Sequence, residues 1–231
     1  MDETLAADRL RQSWTRYYHE ARRPRECVFC PGRKTWWNGF RMRSGTGVLE
    51  ERVVTVARFA CRRVRCASCR KSWSLLPPGL LPGRHFDVAV GVRALTHYLF
   101  TKGASLKASA RACLLSSRTL GRFRDWVAGL VAPATLQGLV AERAGAPILG
   151  KLLDVVDSAR KAKDAARRAV LARAAEVVCL AESLAAASGL ARPGLSSLVF
   201  RAVRGRRALA LHRAGPIPAD AWRRAAGQGR A

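Results

Sequence analysis

Four cysteines in two matched pairs, Cys27-Val28-Phe29-Cys30 and Cys66-Ala67-Ser68-Cys69, constrain this chain more than any other feature. Two sulfurs in a Cys-x-x-Cys turn can reach one ion, and a second such turn completes a tetrahedral site with Zn–S distances of about 2.3 Å. Pro31-Gly32 follows the first pair and Arg70-Lys71 the second. A tight turn aims backbone N–H groups at the sulfurs, and nearby cations favour thiolates. The spacing predicts a structural Zn2+ held by Cys27, Cys30, Cys66 and Cys69. Protein fills every ligand position, so none is open for catalysis. The alternatives are two disulfides, disfavoured by an acidic start (Met1-Asp2-Glu3-Thr4) unlike a signal peptide, and a redox Cys-x-x-Cys, which needs a βαβ setting. Cys61, Cys113 and Cys179 fall among apolar residues and read as packed thiols, with Cys61 a rival ligand by its closeness to Cys66.

Such a metal fits the small sheet expected around it. Residues 27–76 read as a zinc ribbon, too short to build a sufficient core without a staple. Phe40-Arg41-Met42-Arg43 forms one short strand, Ser44-Gly45-Thr46-Gly47 a turn, Glu51 to Val64 a second strand, and Trp73 to Leu76 a third. On the second strand Val53, Thr55, Ala57, Phe59 and Cys61 make the apolar face, opposite Arg52, Arg58 and Arg62. Trp36, Trp37 and Trp73 cover the sheet or, alternatively, stack on nucleobases.

The rest is helical, giving an α+β, mostly α fold. An N-terminal helix (3–22, within segment 1–26) presents Leu5, Leu10, Trp14 and Tyr17 or Tyr18. Residues 77–85 are a Pro-rich linker. A helix over 86–101 repeats Val88, Val92, Leu95 and Leu99, with His97 packed or exposed. Within a domain spanning 86–132, helix 105–112, turn 113–116 and helix 117–129 have helix-turn-helix spacing. Ala110 suits the close approach, and Leu106, Cys113, Leu115, Leu120 and Phe123 face the shared core. Leu114 stands where such turns usually hold glycine, so it must accept a left-handed conformation or the turn differs by one residue. Ser117 reads as the N-cap of the second helix, where phosphate also binds. Ser116, Ser117, Arg118, Arg122, Gly121 and Asp125 point outward, and Lys107 and Arg111 on the first helix join the DNA-binding set. Arg118 and Arg122, one turn apart, can read guanine edges or hold phosphates only. Residues 133–231 form a basic helical C-terminal region, with a long helix from Ile148 and two apolar stretches, Leu195 to Val203 and Ala208 to Leu211, that either pack back on it or offer a homodimer surface.

The charge agrees. Over 231 residues, 42 Lys and Arg stand against 16 Asp and Glu, a formal net charge of +26 spread over both halves. A surplus of this size seeks polyanions, and double-stranded DNA is the expected partner. A high-GC genome favours Arg and Ala and explains part of the count, but not the shortage of acids. No run of about 18 apolar residues exists, so no membrane partner and a cytoplasmic, nucleoid-associated location are expected.

The run Arg63-Val64-Arg65-Cys66-Ala67-Ser68-Cys69-Arg70-Lys71-Ser72-Trp73-Ser74-Leu75-Leu76-Pro77-Pro78, followed by Ser105 to Trp126, resembles the front module of bacterial insertion-sequence transposases, and more narrowly a transposase-related zinc-binding family. The likeness covers about residues 25–128. It implies that Cys27, Cys30, Cys66 and Cys69 ligate the metal and that Ser117, Arg118 and Arg122 lie on the DNA-reading helix. Full transposases add a ribonuclease-H-like domain whose strands present three carboxylates to two metals. Residues 135–231 offer only Glu142, Asp154, Asp157, Asp164, Glu176, Glu182 and Asp220, mostly on expected helices. The expectation is therefore a non-catalytic DNA-binding protein. A diverged nuclease using Asp154 and Asp157, and an RNA-associated zinc-ribbon protein, are the alternatives.

Overall fold

A computed structural model describes residues 2–77, 79–80, 84–130, 133–144 and 165–187. The fold is α+β, with six helices and one small antiparallel sheet among the described residues. These residues divide into two compact units between Val90 and Gly91.

The first unit begins with α1 (Glu3–Glu20), capped by the Asp2 side chain, which accepts the Thr4 N–H at 3.0 Å. Ala6, Leu10, Trp14 and Tyr18 are buried, a strict i, i+4 stripe. Leu5, expected on that face, is exposed, because it lies well round the helix from Leu10. The stripe packs on a three-stranded sheet, β1 (Thr35–Leu49), β2 (Arg52–Cys66) and β3 (Ser72–Ser74), with β2 in the middle.

The turn expected at Ser44-Gly45-Thr46-Gly47 is not there, since β1 runs straight through it. Its glycines serve close packing instead. A Cβ on Gly47 would lie 2.9 Å from both Leu10 Cδ2 and Trp14 Cζ2, and one on Gly45 3.1 Å from Trp14 Cη2. The chain reverses later, at Glu50-Glu51, both with positive φ (48° and 62°), as a two-residue hairpin with matching strand twist requires.

The expected apolar face of β2 is also corrected. Val54 and Val56 are buried, not Val53, Thr55 and Ala57, whereas Phe59 and Cys61 are buried as expected. Between the pairs Arg43↔Phe59 and Gly45↔Val56, two β2 residues face one β1 residue. A bulge of this kind inverts the in–out alternation, which a strict period of two cannot anticipate. A second irregularity falls between Trp37 and Phe40, where Gly39 has φ +69°. Within the stretch expected to be a linker, Leu80 is buried against the α1–sheet core.

The next helix, α2 (Val88–Phe100), starts at the end of the first unit. Val88, Val92, Leu95 and Leu99 are buried as expected, and so are Val90 and Ala94. Asp87 Oδ1 accepts the Ala89 N–H at 2.7 Å, and burial pushes the Asp87 carboxyl up to about 6 against the pull of that N–H. A raised acid is stabilising below its unfolded value of about 3.9 and loses that contribution as pH rises through about 6. Asp87→Asn, which keeps an acceptor for the cap, should therefore be more stable than the native chain at pH 7 by up to about 3 kcal/mol and close to it near pH 4, in urea titrations at both values.

In the second unit, α3 (Leu106–Ala112) and α4 (Ser117–Ala128) are joined by residues 113–116. Ser105 caps α3, its hydroxyl accepting the Ala108 N–H at 3.1 Å. Leu114 takes the left-handed conformation, φ +54°. The Leu115 N–H reaches the Ala110 carbonyl at 2.9 Å and the Leu114 N–H that of Arg111 at 3.0 Å, a Schellman closure with leucine where glycine is usual. Leu114 is exposed, so Leu114→Gly removes strain without opening a cavity; it should raise stability by about 1 kcal/mol in thermal or urea unfolding. Ala110, Cys113, Leu120, Phe123 and Val127 are buried, while Leu106 and Leu115 are half-buried.

Helices α5 (Pro133–Ala144) and α6 (Ala165–Ala187) complete the unit. Both α4 and α5 pack on α6, which buries Leu171, Ala174, Ala175, Val177, Val178, Leu180, Ala181 and Leu184. Over 171–184 the buried residues span more than half of the helix circumference, so the apolar stripe is broad, not a narrow seam, whereas 165–169 are exposed. The expected helix start at Ile148, the run Leu195 to Val203, and Asp154, Asp157, Asp164 and Asp220 lie outside the described residues.

Candidate functional site

The two cysteine turns meet at the end of β2. Cys66 is its last residue and Thr35, first in β1, lies opposite. Each turn closes the same way: the Cys27 N–H donates to the Gly32 carbonyl at 2.9 Å, and the Cys66 N–H to that of Lys71 at 3.0 Å. The Ala67 N–H donates to the Lys34 carbonyl at 2.9 Å and ties one turn to the other. Gly32 sits where they touch; a Cβ there would lie 2.6 Å from Ser68 Oγ. The Thr35 hydroxyl donates to the Pro24 carbonyl and pins the approach to the first turn.

Cys27, Cys30, Cys66 and Cys69 place their sulfurs within 4.8 Å of one another. The Cys27–Cys69 and Cys30–Cys66 separations are 3.6 and 3.7 Å. Four sulfurs bound at 2.3 Å around a tetrahedral centre stand about 3.8 Å apart, and a disulfide needs about 2.05 Å. The donor set therefore fits a metal ion, and all four cysteines are free. Cys27 and Cys66 are buried, Cys30 and Cys69 half-buried. Around them Val64 and Trp73 form a core separate from the one under α1, with Phe29 meeting Trp73 edge-on at 6.1 Å between ring centroids.

The electrostatics suit a cation. The backbone N–H of Cys69, with that of Ser68, holds the Cys66 thiol down to about 6, against burial. The Phe29 N–H donates to Cys27 Sγ at 3.3 Å. The Cys69 thiol gains from the Lys71 N–H, yet burial and the three neighbouring sulfurs push it up to about 11. Sulfurs this close cannot all ionise unaided; a divalent ion removes the conflict.

Cys61 is no rival ligand. It lies in the α1–sheet core, where the Tyr18 hydroxyl is 3.1 Å from its sulfur, and burial raises both groups. Cys113 is buried behind α3, and Cys179 is half-buried on α6. Trp73 joins the core beside the four cysteines, whereas Trp36 is exposed and Trp37 half-buried.

The residues expected to touch DNA lie elsewhere, on α3, α4 and the turn between them. Ser116, Ser117, Arg118 and Arg122 are exposed, as are Lys107 and Arg111; Gly121 is half-buried and Asp125 exposed. The cap is Ser116, not Ser117: its hydroxyl accepts the Thr119 N–H at 3.1 Å, leaving Ser117 as the first helical residue. Adjacent serines make either register plausible in sequence, and the Leu114 closure selects the earlier one. Arg124 pairs with Asp125 at 2.6 Å. His97 is held by Ser109, with Nδ1 and Oγ 2.9 Å apart. The exposed Phe40 and Met42 alternate with Arg41 and Arg43 in sequence, but their solvent-facing phase depends on the bulges.

No helix among the described residues is long and apolar enough to cross a membrane. No family model, curated protein or solved structure matches the chain.

Proposed function

We propose that the four cysteines hold a structural zinc ion, giving 27–76 the character of a zinc ribbon, and that α3 and α4 act as a helix-turn-helix binding duplex DNA without cutting it. Thiolate ligands select zinc among the common divalent ions. In this reading the chain is a transposase-like DNA-binding protein. The observation that carries the duplex reading is the division of α4. It buries Leu120, Phe123 and Val127 and leaves Ser117, Arg118 and Arg122 exposed just beyond a four-residue turn.

Ser116 occupies the cap, and the following amides approach a phosphate at the positive end of the helix. Arg118 and Arg122 then reach base edges or flanking phosphates of the major groove, while Lys107 and Arg111 hold backbone. The net charge of +26 supplies steering and non-specific affinity. Duplex DNA is favoured over duplex RNA because the A-form major groove is too narrow for a helix.

Gel-shift titrations over a salt series test this. Log K should fall by about 0.9 per phosphate contact per log unit of salt. With sequences selected from random duplexes, Arg118→Ala should relax preference at its contacted position, and Arg167→Ala should weaken all sequences alike. A flat salt response, or selected pools without a shared sequence, would count against the reading.

A further inference from the structure

The sheet has a second exposed surface that duplex binding through α4 does not use. Cys61 and Phe59 pack toward α1, and their strand partners on β1 are Arg41 and Arg43. Side chains alternate along a strand, so Phe40 and Met42 point from the other face. Phe40 is 64% exposed and Met42 50%, unusual for large apolar side chains on the middle of a strand. The Arg62 guanidinium lies 3.8 Å from the centroid of the Trp37 ring and 6.0 Å from that of Phe40, joining both into one cluster.

We propose that Trp37, Phe40, Met42 and Arg62 form a stacking platform for unpaired bases of single-stranded nucleic acid. Aromatic faces accept any base, and an arginine laid over a ring adds both a flat stacking surface and a positive charge. Phe40 and Met42 stand about 6.8 Å apart at the usual rise per strand residue. Duplex bases stack at about 3.4 Å, so the spacing suits bases already separated. The surrounding charge names the occupant. Arg33, Lys34, Arg70 and Lys71 flank the cysteine turns, and Lys71 Nζ lies 5.4 Å from the Phe29 ring, which meets Trp73 beside Val64 on this same face, whereas Arg63 and Arg65 alternate onto the opposite one. The acids between Pro24 and Leu76 are Glu26, Glu50 and Glu51, the last two in the turn at the far end of the hairpin. A second copy of this chain would bring the same positive charge to an apolar patch, whereas a polynucleotide brings phosphates and bases together.

The test uses the full-length protein and labelled oligo-dT and oligo-U of about 15 nucleotides, beside a duplex of mixed sequence, read by fluorescence anisotropy. Phe40→Ala should weaken single-strand binding about tenfold, and Phe40→Trp should retain it, because stacking needs a ring but not this ring. Duplex binding should stay within about twofold in both variants, while Arg118→Ala shows the converse pattern. Tighter native binding of oligo-dT assigns the platform to DNA, and of oligo-U to RNA. The proposal is overturned if the native protein binds neither oligonucleotide, if Phe40→Ala leaves single-strand affinity unchanged, or if it weakens duplex and single strand alike. It is equally overturned if Phe40→Ala changes only the oligomeric state, which would make the patch a contact between copies.

Discussion

Cys66→Ser is expected to abolish metal binding and unfold the sheet. The native protein should carry one zinc per chain by elemental analysis, and the variant close to none. Cys66 is fully buried at the end of the central strand, its sulfur receiving N–H groups from its own turn. Without the ion, the core at that end consists of Val64, Trp73 and thiols that repel one another once ionised. Structural zinc sites supply an apparent binding free energy of about 10–16 kcal/mol at neutral pH, as large as a small domain's whole margin of about 5–15 kcal/mol. The near-ultraviolet circular dichroism contributed by Trp36, Trp37 and Trp73 should collapse, while that of Trp126 and much of the helical far-ultraviolet signal survive, since the second unit supplies no ligand. Chelator should reproduce the effect, and acid should promote it, because protons compete for the sulfurs. A variant with native tryptophan signals and no ion would show that the cluster is not the staple.

The second large effect is expected at Trp14. This side chain is 4% exposed, meets Phe59 with ring centroids 4.7 Å apart, and lies on the backbone at Gly45 and Gly47. Trp14→Ala should cost about 3–5 kcal/mol in urea unfolding, because those glycines have no side chains to fill the cavity. Trp14→Phe keeps a ring there and should lose roughly half of that or less. Cost-free truncation of Trp14 would mean that α1 does not depend on its packing against the sheet.

Both expectations depend on features differently visible in sequence. The cysteine turns are legible because ligand spacing is local: two residues between sulfurs suffice to aim both at one point. The Leu114 turn is legible for a similar reason, since helix spacing leaves one position that must go left-handed. The phase of β2 is not. Its alternation breaks opposite Ser44, and a bulge is decided by the partner strand and the helix above. Gly45 and Gly47 mislead for the same cause, since a glycine that admits an indole looks in sequence like one that makes a bend. The hairpin turn hides in Glu50-Glu51, residues with no local preference for positive φ.

The short strand β3 meets β2 only at Arg63, Val64 and Arg65, immediately before Cys66. Its place is thus fixed by the turn that also delivers two of the sulfurs. A metal-starved chain that released β3 would uncover the backbone rim at Arg63, Val64 and Arg65 together with the buried side chains of Val64 and Trp73, and such rims recruit one another. Scarcity of the ion would then be registered not as a quieter protein but as an insoluble one.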